Sequence, residues 1–407
     1  NLSVTGEVDI NSIILKSVSK DITTTNTTTT TTLGTDWNET FNIDGQEGSS
    51  EEFGTSLAFS SDGTTVAVGA MNRNINGFSD VGCVRVYRYD NASWNQIGND
   101  INGIGNNDYE HFSGYSNDYM SLSSDGSTIV VSSGSIPYHT TAYQYDDGEG
   151  NWNQLGQRFY NSNNEPQVVS ISSDGTIVAI GGGSSTSIFN FIGSNWTIIG
   201  HSIQGKASSI SLSSDGTIVA ISDAEHQNTG RAGIFEYNNN NNSWSQVGNY
   251  ITGANLHDRL GIAISLSSDG TIIAIGSPFS DHNGGASGHV DVYEYNISTN
   301  NWDQLGGSII GEASGDLSSW SLSLSSDGTI IAIGSYNNDN NSNNSGHVRV
   351  YQYDATKTVA EPDQNSPTFG PVGWNRLGQD IDGEDGGNFS GYSVSLSSDG
   401  TIVAIGA

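Results

Sequence analysis

Ser265-Leu266-Ser267-Ser268-Asp269-Gly270-Thr271-Ile272-Ile273-Ala274-Ile275-Gly276 contains the pattern that decides the fold. Ser-Leu-Ser alternates apolar and polar, the mark of a strand with two unlike faces. Asp-Gly then marks a tight turn that needs a positive φ. The β-branched run that follows reads as a second, fully buried strand. Ser-Ser-Asp-Gly recurs seven times, with its aspartates at Asp62, Asp125, Asp174, Asp215, Asp269, Asp327 and Asp399. The intervals of 63, 49, 41, 54, 58 and 72 residues describe a fixed core carrying loops of varied length.

Two further elements keep step with it. A Trp recurs at Trp37, Trp94, Trp152, Trp196, Trp244, Trp302 and Trp374, usually as Trp-x-Gln-Leu/Ile/Val-Gly, while Trp320 stands outside the series. A Val-x-Val-Tyr-x-Tyr segment or variant ends at Tyr89, Tyr145, Phe191, Tyr237, Tyr295 and Tyr353. Four strands per unit and seven units predict an all-β, seven-bladed β-propeller of four-stranded antiparallel blades. The first Trp precedes any complete unit and the last unit stops after two strands. Trp37 is therefore expected to complete the seventh blade. Its missing third strand is expected either around Asp21 to Thr28 or beyond Ala407.

The 407 residues carry 44 acidic and 12 basic side chains, a net charge of −32. That excludes a nucleic-acid surface, which needs clustered Lys and Arg, and opposes docking on an anionic membrane. No stretch approaches a spanning helix. Apolar residues at 34% and charged residues at 14% are replaced by turn formers. The single cysteine, Cys83, makes no internal disulfide. A start at Asn1 leaves room for a removed leader.

Phe53-Gly54-Thr55-Ser56-Leu57-Ala58, Val68-Gly69-Ala70 and Gly82-Cys83-Val84-Arg85-Val86-Tyr87 resemble the FG-GAP repeat of integrin-α-type propellers, as do Gly261 to Ser277 with Gly288 to Tyr293, and Gly391 to Ala407. The resemblance spans residues 36–407. It implies a propeller on a virion or microbial surface. That family often carries calcium in its first hairpin, but Ser-Ser-Asp-Gly is too short to supply six oxygens, so no metal or other cofactor is expected. Residues 1–35 read as a short β extension with a Thr-rich linker, similar to the β-repeats of trimeric fibre shafts, which offers a route to a homo-oligomer.

No catalytic signature is present: no Gly-x-Ser-x-Gly, no His-Glu-x-x-His, no phosphate loop. His139, His289 and His347 share one position in the third strand, where other units hold Cys83, Ser185 and Arg231, so they read as repeat positions. The turn aspartates read as turn caps. The repeated Trp and Tyr read as packing between blades.

Loops after the second and fourth strands open on one face and vary from Gly183-Ser184 to stretches as long as 71–82. Variable loops on a rigid ring are where binding is usually placed. The candidate binding residues there are Phe78, Tyr109, Phe112, Phe279, Asp281, Tyr336 and Asp339. The expectation is a non-enzymatic extracellular, cell-surface or virion-surface protein that attaches to a glycan or protein receptor. The alternatives are a structural decoration of a filament or coat, and a secreted glycan-active enzyme.

Overall fold

A computed structural model describes residues 12–25, 28–33, 36–45, 52–74, 81–103, 119–133, 138–160 and 167–407. Seven antiparallel sheets stand around a ring. The innermost strands, such as Ser209–Leu212 and Ser393–Leu396, contact those of the adjacent blades. Second strands such as Ile272–Ser277 run between neighbouring blades and are buried on both faces, which is why they read as unbroken apolar runs.

The core is a circle of clusters between blades. One joins Val130, Ala142 and Phe159 of the second blade to Val169, Val178 and Trp196 of the third. Close approach at the blade faces demands small residues. A Cβ on Gly406 would sit 2.1 Å from the Gly54 carbonyl oxygen.

The outermost strand is broken into two pieces. Ser93–Gln96 pairs with one half of Cys83–Asp90 and Ile101–Asn102 with the other. A glycine at the break receives the next blade's tryptophan. A Cβ on Gly200 would meet Trp244 Cδ1 at 2.6 Å. Six indoles donate Nε1–H to the carbonyl just before that glycine, as Trp152 does to Ile97 (3.1 Å) and Trp196 to Leu155 (2.8 Å). This explains why Trp and Leu-Gly recur together.

In each Ser-Ser-Asp-Gly turn only the glycine takes positive φ, for example +68° at Gly216. The aspartate instead accepts hydrogen bonds from the flanking residues. Asp215 Oδ1 takes Ser213 Oγ (2.8 Å), Thr217 N (2.9 Å) and Thr217 Oγ1 (2.7 Å).

The ring is closed by the N-terminal chain, in a way the sequence reading placed wrongly. The seventh blade runs Ser393–Leu396, Ile402–Gly406, Ser12–Ser17, Asn38–Asp44. Its third strand is thus Ser12–Ser17, neither the Asp21–Thr28 region nor a continuation past Ala407. Ile13, Ile14 and Leu15 are buried there, so the propeller draws in residues the sequence had given to the extension. Lys20–Thr25 and Thr28–Leu33 pair as a separate two-stranded hairpin. Trp37 closes the ring as expected, donating to the Leu377 carbonyl at 2.8 Å. No helix among the described residues is long and apolar enough to cross a membrane.

Candidate functional site

The described innermost strands offer hydroxyls and no charged side chain. Ser121, Ser170, Ser211, Ser265, Ser323 and Ser395 occupy one level of the innermost strands, and each accepts a backbone N–H from the next blade. None of the described innermost strands carries an acidic residue. A carboxylate pair of the glycosidase kind is therefore not formed by these strands.

The loop face is richer. Phe78, Tyr109 and Phe112 lie outside the described residues. Tyr336 is a correction: it is 2% exposed and packs on Trp320 (4.9 Å between ring centroids) and Tyr392 (5.3 Å). Phe279 is half-buried against the same cluster, under the Arg259 guanidinium. Loops 278–288 and 336–346 fold inward over an apolar patch, so their aromatics stabilise the loops. The unplaced Trp320 was the sequence signal for this patch. Asp281 and Asp339 are exposed but tie down their own loops, accepting the N–H of Ala286 (2.8 Å) and Asn344 (2.7 Å).

The repeat histidines acquire different surroundings. His347 lies with Glu312 and Asp380 closely enough to suggest a metal site. The donor set does not fit one. Arg349 is ion-paired with Glu312 and grips Asp380 at 2.9 and 2.7 Å, while Arg376 adds a further bond to Asp380 at 2.7 Å. Two guanidiniums already neutralise two carboxylates and would repel a cation. Burial pushes His347 down to about 4, helped by the Arg349 charge, so it stays neutral. Such a closed network is structural.

His289 is different. Its Nε2 lies 3.3 Å from Asp291 Oδ2, and its ring centroid lies 4.4 Å from that of His282, the two planes tilted by 57°. Asp291 also accepts Ser308 Oγ (2.6 Å) and Gln304 Nε2 (3.0 Å). Burial raises this carboxyl, but the His289 hydrogen bond and charge outweigh it and hold it below the usual range. His282 is exposed, and its Nδ1 is hydrogen-bonded to the buried Ser280 hydroxyl. The result is an exposed imidazole with one nitrogen fixed, backed by a carboxylate–histidine pair. Sequence reasoning passed over His282, because its loop gives no motif.

No protein-family model and no curated protein matches the chain, so the FG-GAP likeness rests on motif alone. Solved structures do match. A candidate 6-phosphogluconolactonase from Bacteroides uniformis aligns at TM-score 0.56 and 12% identity, covering 92% of this chain and 97% of that one. The periplasmic gluconolactonase of Pseudomonas aeruginosa gives 0.54 and 13%, covering 92% and 98%. The hydrazine synthase of Kuenenia stuttgartiensis gives 0.52 and 12%, covering 86% and 91%. At such identities the likeness shows the fold, a seven-bladed β-propeller. It also corrects the expectation of a non-enzymatic attachment protein, because propellers of this shape are named as sugar-lactone enzymes.

Proposed function

We propose that the chain is a hydrolase acting on a sugar lactone, with His282 as its general base. The observation that carries this is the exposed His282 imidazole, fixed through Ser280 and packed at a tilt against His289 of the His289–Asp291 pair. In the tautomer this role requires, Nδ1–H donates to Ser280 Oγ and Nε2 of the exposed ring carries the lone pair. In the reaction Nε2 takes a proton from water as the water oxygen attacks the lactone carbonyl carbon. The ring C–O bond then breaks, and the departing alkoxide receives that proton, giving the hydroxy acid. A histidine ring nitrogen can take up and return a proton within hydrogen-bond reach, which suits this shuttle. Solved lactonases of the same fold support the substrate class, and the periplasmic member among them supports an extracytoplasmic setting. Glucono-δ-lactone hydrolysis followed by acid release tests it: the parent should exceed the buffer rate and His282→Gln should not. A parent rate equal to buffer across several aldonolactones ends the proposal.

A further inference from the structure

Around the ring, the residue before the short outermost segment faces the third residue of the third strand, and the two are usually matched. Arg85 lies 3.6 Å from Asp100 in the first blade, and Arg349 grips Asp380 in the sixth. In the fifth, Ser308 donates to Asp291 at 2.6 Å, and in the third Ser187 and Ser202 are bonded at 2.8 Å. The second blade departs. His139 and Thr140 pair with Tyr160 and Phe159, which brings Thr141 opposite Arg158 one step further along. Thr141 Oγ1 and Arg158 Nε are both buried, and neither has a hydrogen-bond partner. Arg158 has no ion pair among the described residues either, in a chain with 44 acidic side chains. Two orphaned polar atoms at one place are costly unless something binds there.

Arg158 lines a cleft of about 370 Å³ between the second and third blades, shared with Phe159, Tyr160, Gln167, Ser185 and Phe189. On the third-blade side of the cleft, the second and third strands are joined through Gly183 and Ser184 alone, where the fifth and sixth blades carry long loops. Tyr160 is 64% exposed. Gln167 accepts the Thr140 hydroxyl through Oε1, which leaves its amide hydrogens without a protein acceptor among the described residues.

We infer that this cleft is a second site, three blades from His282, that binds a small sugar carrying a single carboxylate. The guanidinium fork matches a carboxylate. The Tyr160 and Phe189 rings offer faces for sugar C–H groups, and Gln167 and Ser185 offer donors to hydroxyls. The −32 charge of the chain opposes dianions and polyanions.

Calorimetry with galacturonate tests this directly, with galactose and glucose 6-phosphate alongside. Galacturonate should bind, and galactose at least tenfold more weakly. Arg158→Gln should weaken galacturonate at least tenfold. Thr141→Asp would give Arg158 an internal carboxylate at a position where the fifth blade already holds Asp291. It should abolish binding with the melting temperature kept. No binding by the parent, equal binding of galactose, or variants that bind like the parent overturn the inference. Glucose 6-phosphate binding in place of galacturonate assigns the cleft to phosphate and overturns it too.

Discussion

Ser398 of the seventh blade donates its backbone N–H to the carbonyl of Ser61 in the first at 2.8 Å. It completes a circle: Ser61 donates to Ser124, Ser124 to Ser173, Ser173 to Ser214, Ser214 to Ser268, Ser268 to Ser326 and Ser326 to Ser398. Seven strand ends about 4.8 Å apart are thereby tied edge to edge into one continuous ring at that face. The second serine of Ser-Ser-Asp-Gly is thus a fastener between blades, while the first serine and the aspartate shape the turn.

Replacing Ser398 by proline removes one N–H from the circle and strands a carbonyl. Stability should fall by about 1–3 kcal/mol, read from urea denaturation. An unchanged midpoint would mean the circle contributes nothing.

The turn aspartates make the ring acid-sensitive. Burial raises Asp62, Asp125, Asp174, Asp215, Asp269 and Asp327, yet hydrogen bonds from neighbouring Ser and Thr outweigh it and leave each lowered from 3.8. A carboxyl lowered in the folded state contributes stability above its unfolded value and loses it as pH falls through the folded one. Melting temperature should therefore drop steeply below about pH 4. Replacing three of these aspartates by asparagine should flatten that drop. The same slope in both proteins contradicts the assignment.

Closure by the N-terminal strand is equally testable. Leu15 is fully buried between the seventh and first blades. Leu15→Ala should cost about 2–5 kcal/mol. Deleting residues 1–18 should expose the edge of Ile402–Gly406 and promote aggregation in light scattering. A monomeric deletion variant with the parent's melting temperature would place closure elsewhere.

Arg349→Met leaves the half-buried Glu312 and Asp380 with one counter-charge fewer. A loss of about 3–5 kcal/mol is expected, whereas EDTA should leave the parent's melting temperature unchanged. Destabilisation by EDTA would restore the metal reading of that cluster.

Most of the architecture was written in the repeat. Ser-Ser-Asp-Gly, Trp and Tyr each occupy a fixed contact, so counting them counts blades. The exceptions are physical. Ser12–Ser17 lacks the Tyr-x-Tyr signature because its outer strand starts past Trp37, so no cross-strand Tyr–Trp pair like Tyr145–Trp152 is needed there. Tyr336 was misread because loop position alone does not reveal a second apolar layer; only its contacts with Trp320 and Tyr392 do. The site was harder still. His282 and Arg158 matter through what their neighbours leave open, and sequence spacing carries no record of that.

Glucono-δ-lactone hydrolysis by matched single variants tests the functional reading most directly. The account predicts a parent rate above buffer that falls to the buffer rate in His282→Gln and persists in Arg158→Gln. A parent no faster than buffer, or a His282→Gln variant as fast as the parent, would contradict it.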